Sequence, residues 1–101
     1  MRYTYDKERE SLKLELTEEI DMNSCKTLRS IIDGYIIKYN PKECILDLNK
    51  VNFMDSSGLG LIMGRHNLIK MLNSKMTLMG PNESIKKIIK LSHIGKEIRI
   101  V

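Results

Sequence analysis

Apolar and polar side chains alternate strictly along residues 11–16, Ser-Leu-Lys-Leu-Glu-Leu, which places Leu12, Leu14 and Leu16 on one face of a half-buried strand. Tyr3 and Tyr5 alternate in the same way just before a polar stretch, Asp6 to Glu10, so the chain is expected to open with a hairpin. From Asp21 to Asn40 the period lengthens. Cys25, Leu28, Ile32, Tyr35, Ile36 and Tyr39 recur every three or four positions, the stripe of an amphipathic helix, with Asn23 or Ser24 as its cap and Pro41 as its end. Cys44-Ile45-Leu46-Asp47-Leu48 is a nearly continuous apolar run, as expected of a strand buried on both faces or nearly so.

Phe53-Met54 leads into a second predicted helix, Ser57 to Asn73, and Lys75 to Met79 reads as another strand. Gly80-Pro81-Asn82 turns the chain into a third helix containing Ile85, Ile88 and Ile89; Gly95 is expected to stop it, and Glu97 to Val101 to form a last strand. Strand and helix alternate after the hairpin. This order predicts an α/β fold: one domain over residues 1–101, with a mixed, mostly parallel sheet of four to five strands packed against helices.

Composition narrows the functional classes. The 101 residues suit one small core, and 42% hydrophobic with 30% charged residues is ordinary for a globular domain. No run approaches the ~18 apolar residues of a membrane span, and the amino terminus lacks the apolar stretch of a secretory signal, so a cytoplasmic chain without a membrane partner is expected. Cys25 and Cys44 have no second Cys pair or His cluster to complete a zinc set and are expected to be buried reduced thiols; no metal or cofactor is predicted. The net charge of +4 raises the question of nucleic acid. The basic residues concentrate only at Lys86, Lys87, Lys90, Lys96 and Arg99, with no aromatic residue interleaved for base stacking, which favours a solvated helix face and no direct nucleic-acid partner.

The chemistry concentrates in Phe53-Met54-Asp55-Ser56-Ser57-Gly58-Leu59-Gly60-Leu61-Ile62-Met63-Gly64-Arg65. A strand ends in a polar turn and a helix begins at two hydroxyls, where unpaired N–H groups and the positive end of the helix dipole accept an oxygen or an anion. The serines are either helix caps or, for one exposed hydroxyl, a phosphorylation site that would gain about −1.5 to −2 charges beside Asp55. A nucleophilic serine finds no support: position 54 is Met where the elbow motif needs Gly, and neither His66 nor His93 is brought to Ser56 by its place in the sequence. A dinucleotide-binding turn needs its third glycine at position 63, which is Met.

On a helical wheel, Gly58, Leu61, Ile62, Leu68, Ile69 and Leu72 gather on the side expected to face the sheet. Gly60, Met63, Gly64, Asn67 and Met71 gather opposite, toward solvent. Two glycines on an exposed helix face lower its propensity, and they serve either a close-approaching partner backbone or a neighbouring loop of the same domain. Arg65 falls inside the apolar stripe, where sequence gives it no role.

These residues resemble the signature of the STAS-domain anti-sigma-factor antagonists, closest to the sporulation branch of that family. The similarity runs over nearly the whole chain, through Thr17-Glu18-Glu19-Ile20-Asp21, Cys44 to Leu48 and Ser92 to Ile98. The resemblance implies a regulatory binding module and not an enzyme. Its first motif serine, Ser56 by position, is phosphorylated by the partner, an anti-sigma factor that is also a serine kinase. The unphosphorylated form binds that kinase and frees the sigma factor, and a serine phosphatase restores it. The resemblance also gives Asp55 and Gly58 the loop geometry and sets Asp21 near the binding surface, which then continues through Ser57, Gly60, Met63, Gly64 and Asn67. The chain departs from the family at Glu18 and His93, where Gly is usual, and it ends at Val101 where fuller members run on into another helix. Two other expectations stand beside this one: a general-stress or other sigma pathway served by the same fold, against which Ser57 in place of Thr leans, and a small nucleotide- or nucleic-acid-binding domain.

Overall fold

The alternation over Leu12, Leu14 and Leu16 becomes strand β2, Ser11–Glu15, paired antiparallel with β1, Arg2–Asp6. The computed structural model describes all residues, 1–101, and continues as α1 (Met22–Tyr39), β3 (Glu43–Asp47), α2 (Ser57–Met71), β4 (Lys75–Met79), α3 (Glu83–Lys90), α4 (Ile94–Glu97) and β5 (Arg99–Ile100). The strands lie side by side in chain order, and β2 through β5 run parallel. The expected mixed, mostly parallel sheet is therefore the fold, with five strands. Each parallel step needs a crossover, and the crossovers supply the helices.

One face of the sheet carries the core. Leu12, Leu14, Cys44, Leu46, Met76 and Leu78 meet Leu28, Ile32 and Ile36 of α1, Leu61, Ile62 and Ile69 of α2, and Ile85 and Ile89 of α3 in a single apolar cluster. The opposite face stays partly open: Lys13 and Ile45 are only half-buried. β3 is accordingly buried on its helix side and nearly so on the other, where Ile45 is half-buried. On the open face Asp47 is nevertheless sealed, accepting hydrogen bonds from the Asn49 N–H (2.9 Å) and Nδ2 (2.8 Å), with Lys13 Nζ 3.6 Å away. Burial works to raise its carboxyl, but the Asn49 donors and Lys13 outweigh burial and hold it below the ordinary carboxylate range.

Other boundaries differ for identifiable reasons. Asp21, rather than Asn23 or Ser24, caps α1: its carboxylate accepts from the N–H groups of Asn23 and Ser24, both at 2.9 Å, while Ser24 Oγ accepts from the Asp21 N–H at 3.1 Å. Asn40 ends α1 in the left-handed conformation just before Pro41, at φ 44°. α2 stops at Met71 rather than Asn73, which has itself turned left-handed at φ 57°. Gly95 does not stop the third helix. That helix ends at Lys90, and Gly95 lies inside the short α4, where an added Cβ would sit 3.1 Å from the Ile89 carbonyl oxygen. Glu97 consequently belongs to α4, and β5 shortens to Arg99–Ile100.

Candidate functional site

The site lies where the parallel strands end. Beyond β2 and β3 the two segments keep pairing through an isolated parallel bridge between Ile20 and Met54, with the Ile20 N–H donating to the Phe53 carbonyl (3.0 Å) and the Asp55 N–H to the Ile20 carbonyl (3.1 Å). This bridge brings the first turn of α1 to the start of α2, where Cys25 Sγ lies 3.5 Å from the Ser57 carbonyl oxygen. Asp21, Asp55, Ser56 and Ser57 are thus gathered at the carboxyl end of the sheet, the edge at which open α/β folds bind ligands and partners.

Ser56 occupies the cap position of α2 but does not act as a cap. Its side chain makes no capping hydrogen bond and the residue is exposed. Its neighbour does the work instead: Asp55 Oδ1 accepts from the Ser57 N–H at 2.8 Å, and the Asp55 carbonyl accepts from the Gly58 N–H at 3.0 Å. The Ser56 hydroxyl is consequently left open at a helix start, with no imidazole in reach to make it a nucleophile; His66 is buried on α2 against Glu97, 3.7 Å away. Asp21 and Asp55 both have helix-starting tasks, so their carboxylates are fixed in place. Gly58 is required by close packing: a Cβ there would collide with the Met54 side chain and approach Ile20 Cγ2 to 3.2 Å.

The negative field of this corner is felt by Cys25 on α1. Its thiol donates to the Ser57 carbonyl at 3.5 Å, and burial, then Asp55 and Asp21, push its pKa up. Cys25 is half-buried, not buried as expected, whereas Cys44 is sealed in the core and pushed up to about 12 by that burial; both are free thiols. No three His, Cys, Asp or Glu side chains converge as metal ligands do. No helix is long and apolar enough to cross a membrane.

Gly60 and Gly64 line a groove of about 450 Å³ between α2 and α1, whose other walls are Cys25, Lys26, Arg29, Ser57, Leu61 and Arg65. A Cβ at either glycine would meet nothing within 4 Å, so no neighbouring loop of this domain requires them. Asn67 and Met71 are exposed on the same helix, but Met63 is half-buried and packs against the core, as do Leu68 and Leu72. The wheel is corrected at Met63, whereas Arg65 lies on the buried side as its place in the apolar stripe implied, together with His66, Leu61, Ile62 and Ile69. Arg65 has a partner invisible to sequence: its Nε lies 2.6 Å from Asp33 Oδ1 of α1, and its Nη1 donates to the Leu61 carbonyl at 3.3 Å. Also absent from the sequence reading are the groove wall of Lys26 and Arg29 and two exposed apolar residues at this end, Met22 (78% exposed) and Phe53 (49%). The spacing of Lys26 and Arg29, off the apolar stripe of α1, is the signal that marks them.

Residues 4–101 match the STAS domain family. The anti-sigma F factor antagonist of Paenibacillus polymyxa is 31% identical over 85 residues, covering 84% of this chain and 73% of that one, and that of Lysinibacillus sphaericus is 29% identical over 87 residues, covering 86% and 74%. Among solved structures, the anti-sigma factor antagonist SpoIIAA superposes in its unphosphorylated form with a TM-score of 0.79 at 24% identity, over 99% of this chain and 88% of that one. Its phosphorylated form superposes with a TM-score of 0.71, over 99% and 91%. These names describe regulatory binding proteins rather than enzymes. The chain belongs to the STAS domain family and, within it, to the anti-sigma factor antagonists.

Proposed function

We propose that this chain is a cytoplasmic, phosphorylation-switched antagonist: unphosphorylated, it binds an anti-sigma factor that is also a serine kinase and thereby frees a sigma factor. Phosphorylation of Ser56 turns it off, and a serine phosphatase restores it. The observation that carries this reading is the Ser56 hydroxyl, exposed at the start of α2 with its capping duty taken over by Asp55. That a solved relative is described in both unphosphorylated and phosphorylated forms supports it.

The physical effect follows from charge. A phosphoserine adds about −1.5 to −2 charges, which the N–H groups and dipole of α2 tolerate within the chain. Asp21 and Asp55 already make the corner negative, so a docked surface suited to the free hydroxyl then faces a dianion. One repelled unit charge about 6 Å away at an effective dielectric near 20 costs about 3 kcal/mol, roughly a hundredfold in affinity. Met22 and Phe53 provide apolar contact on the rim, and Ser57, Gly60, Gly64 and Asn67 carry the surface along α2, whereas Gly58 is buried against Met54 and Ile20 and offers no surface to a partner.

Titration calorimetry with the cognate anti-sigma factor tests the reading. Ser56→Ala should bind like the parent and stay bound when ATP is added, whereas Ser56→Asp should bind at least tenfold more weakly. Equal binding by both variants would remove Ser56 from the switch.

A further inference from the structure

The groove between α1 and α2 is more specific than a general docking face. Its floor is Gly60 and Gly64, with open space above both, and its α1 wall is Lys26 and Arg29. Both cations are exposed, and neither takes part in any of the chain's ion pairs; the one carboxylate on this stretch of α1, Asp33, is engaged by Arg65 beneath. The groove therefore carries two uncompensated positive charges along a backbone stripe stripped of side chains. At its other end, beside Ser57 and Cys25, the field turns negative through Asp55 and Asp21. Such a gradient selects both the charge of an occupant and its direction.

We propose that this groove seats an acidic segment of the anti-sigma factor, its backbone crossing Gly60 and Gly64 and its carboxylates held by Lys26 and Arg29. The inference rests on the function proposed above and adds the chemistry of the partner surface. It also explains why two glycines persist on an exposed helix at about 1 kcal/mol each in lost propensity. Phosphorylation of Ser56 then acts twice, by introducing a dianion next to the segment's path and by offsetting the positive field that attracts it.

The test is calorimetry of the anti-sigma factor against four forms of the full chain, the parent, Lys26→Glu/Arg29→Glu, Lys26→Arg/Arg29→Lys and Gly64→Leu, at low and high salt, with circular dichroism to verify the fold. Charge reversal should weaken binding at least about tenfold at low salt and flatten its salt dependence, since charges across a Debye length of about 10 Å at 0.1 M are screened. The charge-conserving swap should keep affinity within about threefold, and Gly64→Leu, which fills the groove, should weaken binding at both salts. A parent that binds while the charge reversal binds within twofold at both salts overturns the groove assignment and leaves the proposed function standing. A parent that does not bind at all overturns both.

Discussion

Removing Asp33 probes how the floor of the groove is held. The Arg65 side chain is 8% exposed and that of Asp33 30%, with 2.6 Å between Nε and Oδ1. Asp33→Asn removes the countercharge and leaves a buried guanidinium facing only neutral acceptors, the amide oxygen and the Leu61 carbonyl. Breaking one half of a buried pair typically costs about 3–5 kcal/mol; water reaches Asp33 from one side, so the low end, about 3 kcal/mol, is expected. For a domain of this size that corresponds to a loss of roughly 12–20 °C in Tm. Arg65→Met with Asp33→Asn removes both charges and should recover most of the loss, to within about 1 kcal/mol of the parent. Urea unfolding followed by circular dichroism measures all three forms. A single variant within about 0.5 kcal/mol of the parent, or a double variant no better than the single, would refute the view that this pair is mutually dependent.

Gly58→Ala should cost about 1–3 kcal/mol by forcing Met54 and Ile20 apart, read as a lower urea midpoint. Gly60→Ala and Gly64→Ala should each do the reverse and raise stability by up to about 1 kcal/mol, because nothing opposes the new methyl group; a thermal melt showing destabilisation would contradict the open groove. Stability should also depend on pH at both ends. Burial first, then Lys70, holds the His66 imidazole below its usual 6.5 against the pull of Glu97, so the unfolded chain takes up that proton before the native one. Stability should therefore fall as pH drops below about 6.5, and fall further as pH passes from about 3.8 down through the lowered value of Asp47. Above about pH 9 the unfolded chain ionises Cys44 while the native thiol, pushed up to about 12, does not, so stability should fall again. Urea midpoints unchanged from pH 7 to pH 5 would contradict the assignment for His66.

The strands, the hairpin and the two long helices were legible because each rests on a local period, two for Leu12 to Leu16 and 3.6 for Cys25 to Tyr39. The α1 cap was misassigned although its signal is local: Asp21 stands three residues before Ser24, a capping box closed by Ser instead of Glu or Gln. The end of the third helix and the role of Arg65 were not legible. Gly95 signals a stop in isolation, whereas its task is to let α4 approach the Ile89 carbonyl. Asp33 is 32 positions from Arg65, and only the packing of α1 on α2 brings them together. The position of Ser56 at a helix start was readable from its neighbours, but its freedom was not, because that depends on Asp55 taking the Ser57 N–H.

Phosphopeptide mapping tests the central claim most directly. Incubated with its cognate kinase and ATP, the chain should gain a single phosphate, on Ser56, and the modified protein should elute free of the kinase by size exclusion. Phosphate on Ser57 alone, or on neither serine, or a Ser56-phosphorylated chain that still co-elutes with the kinase, would contradict the account.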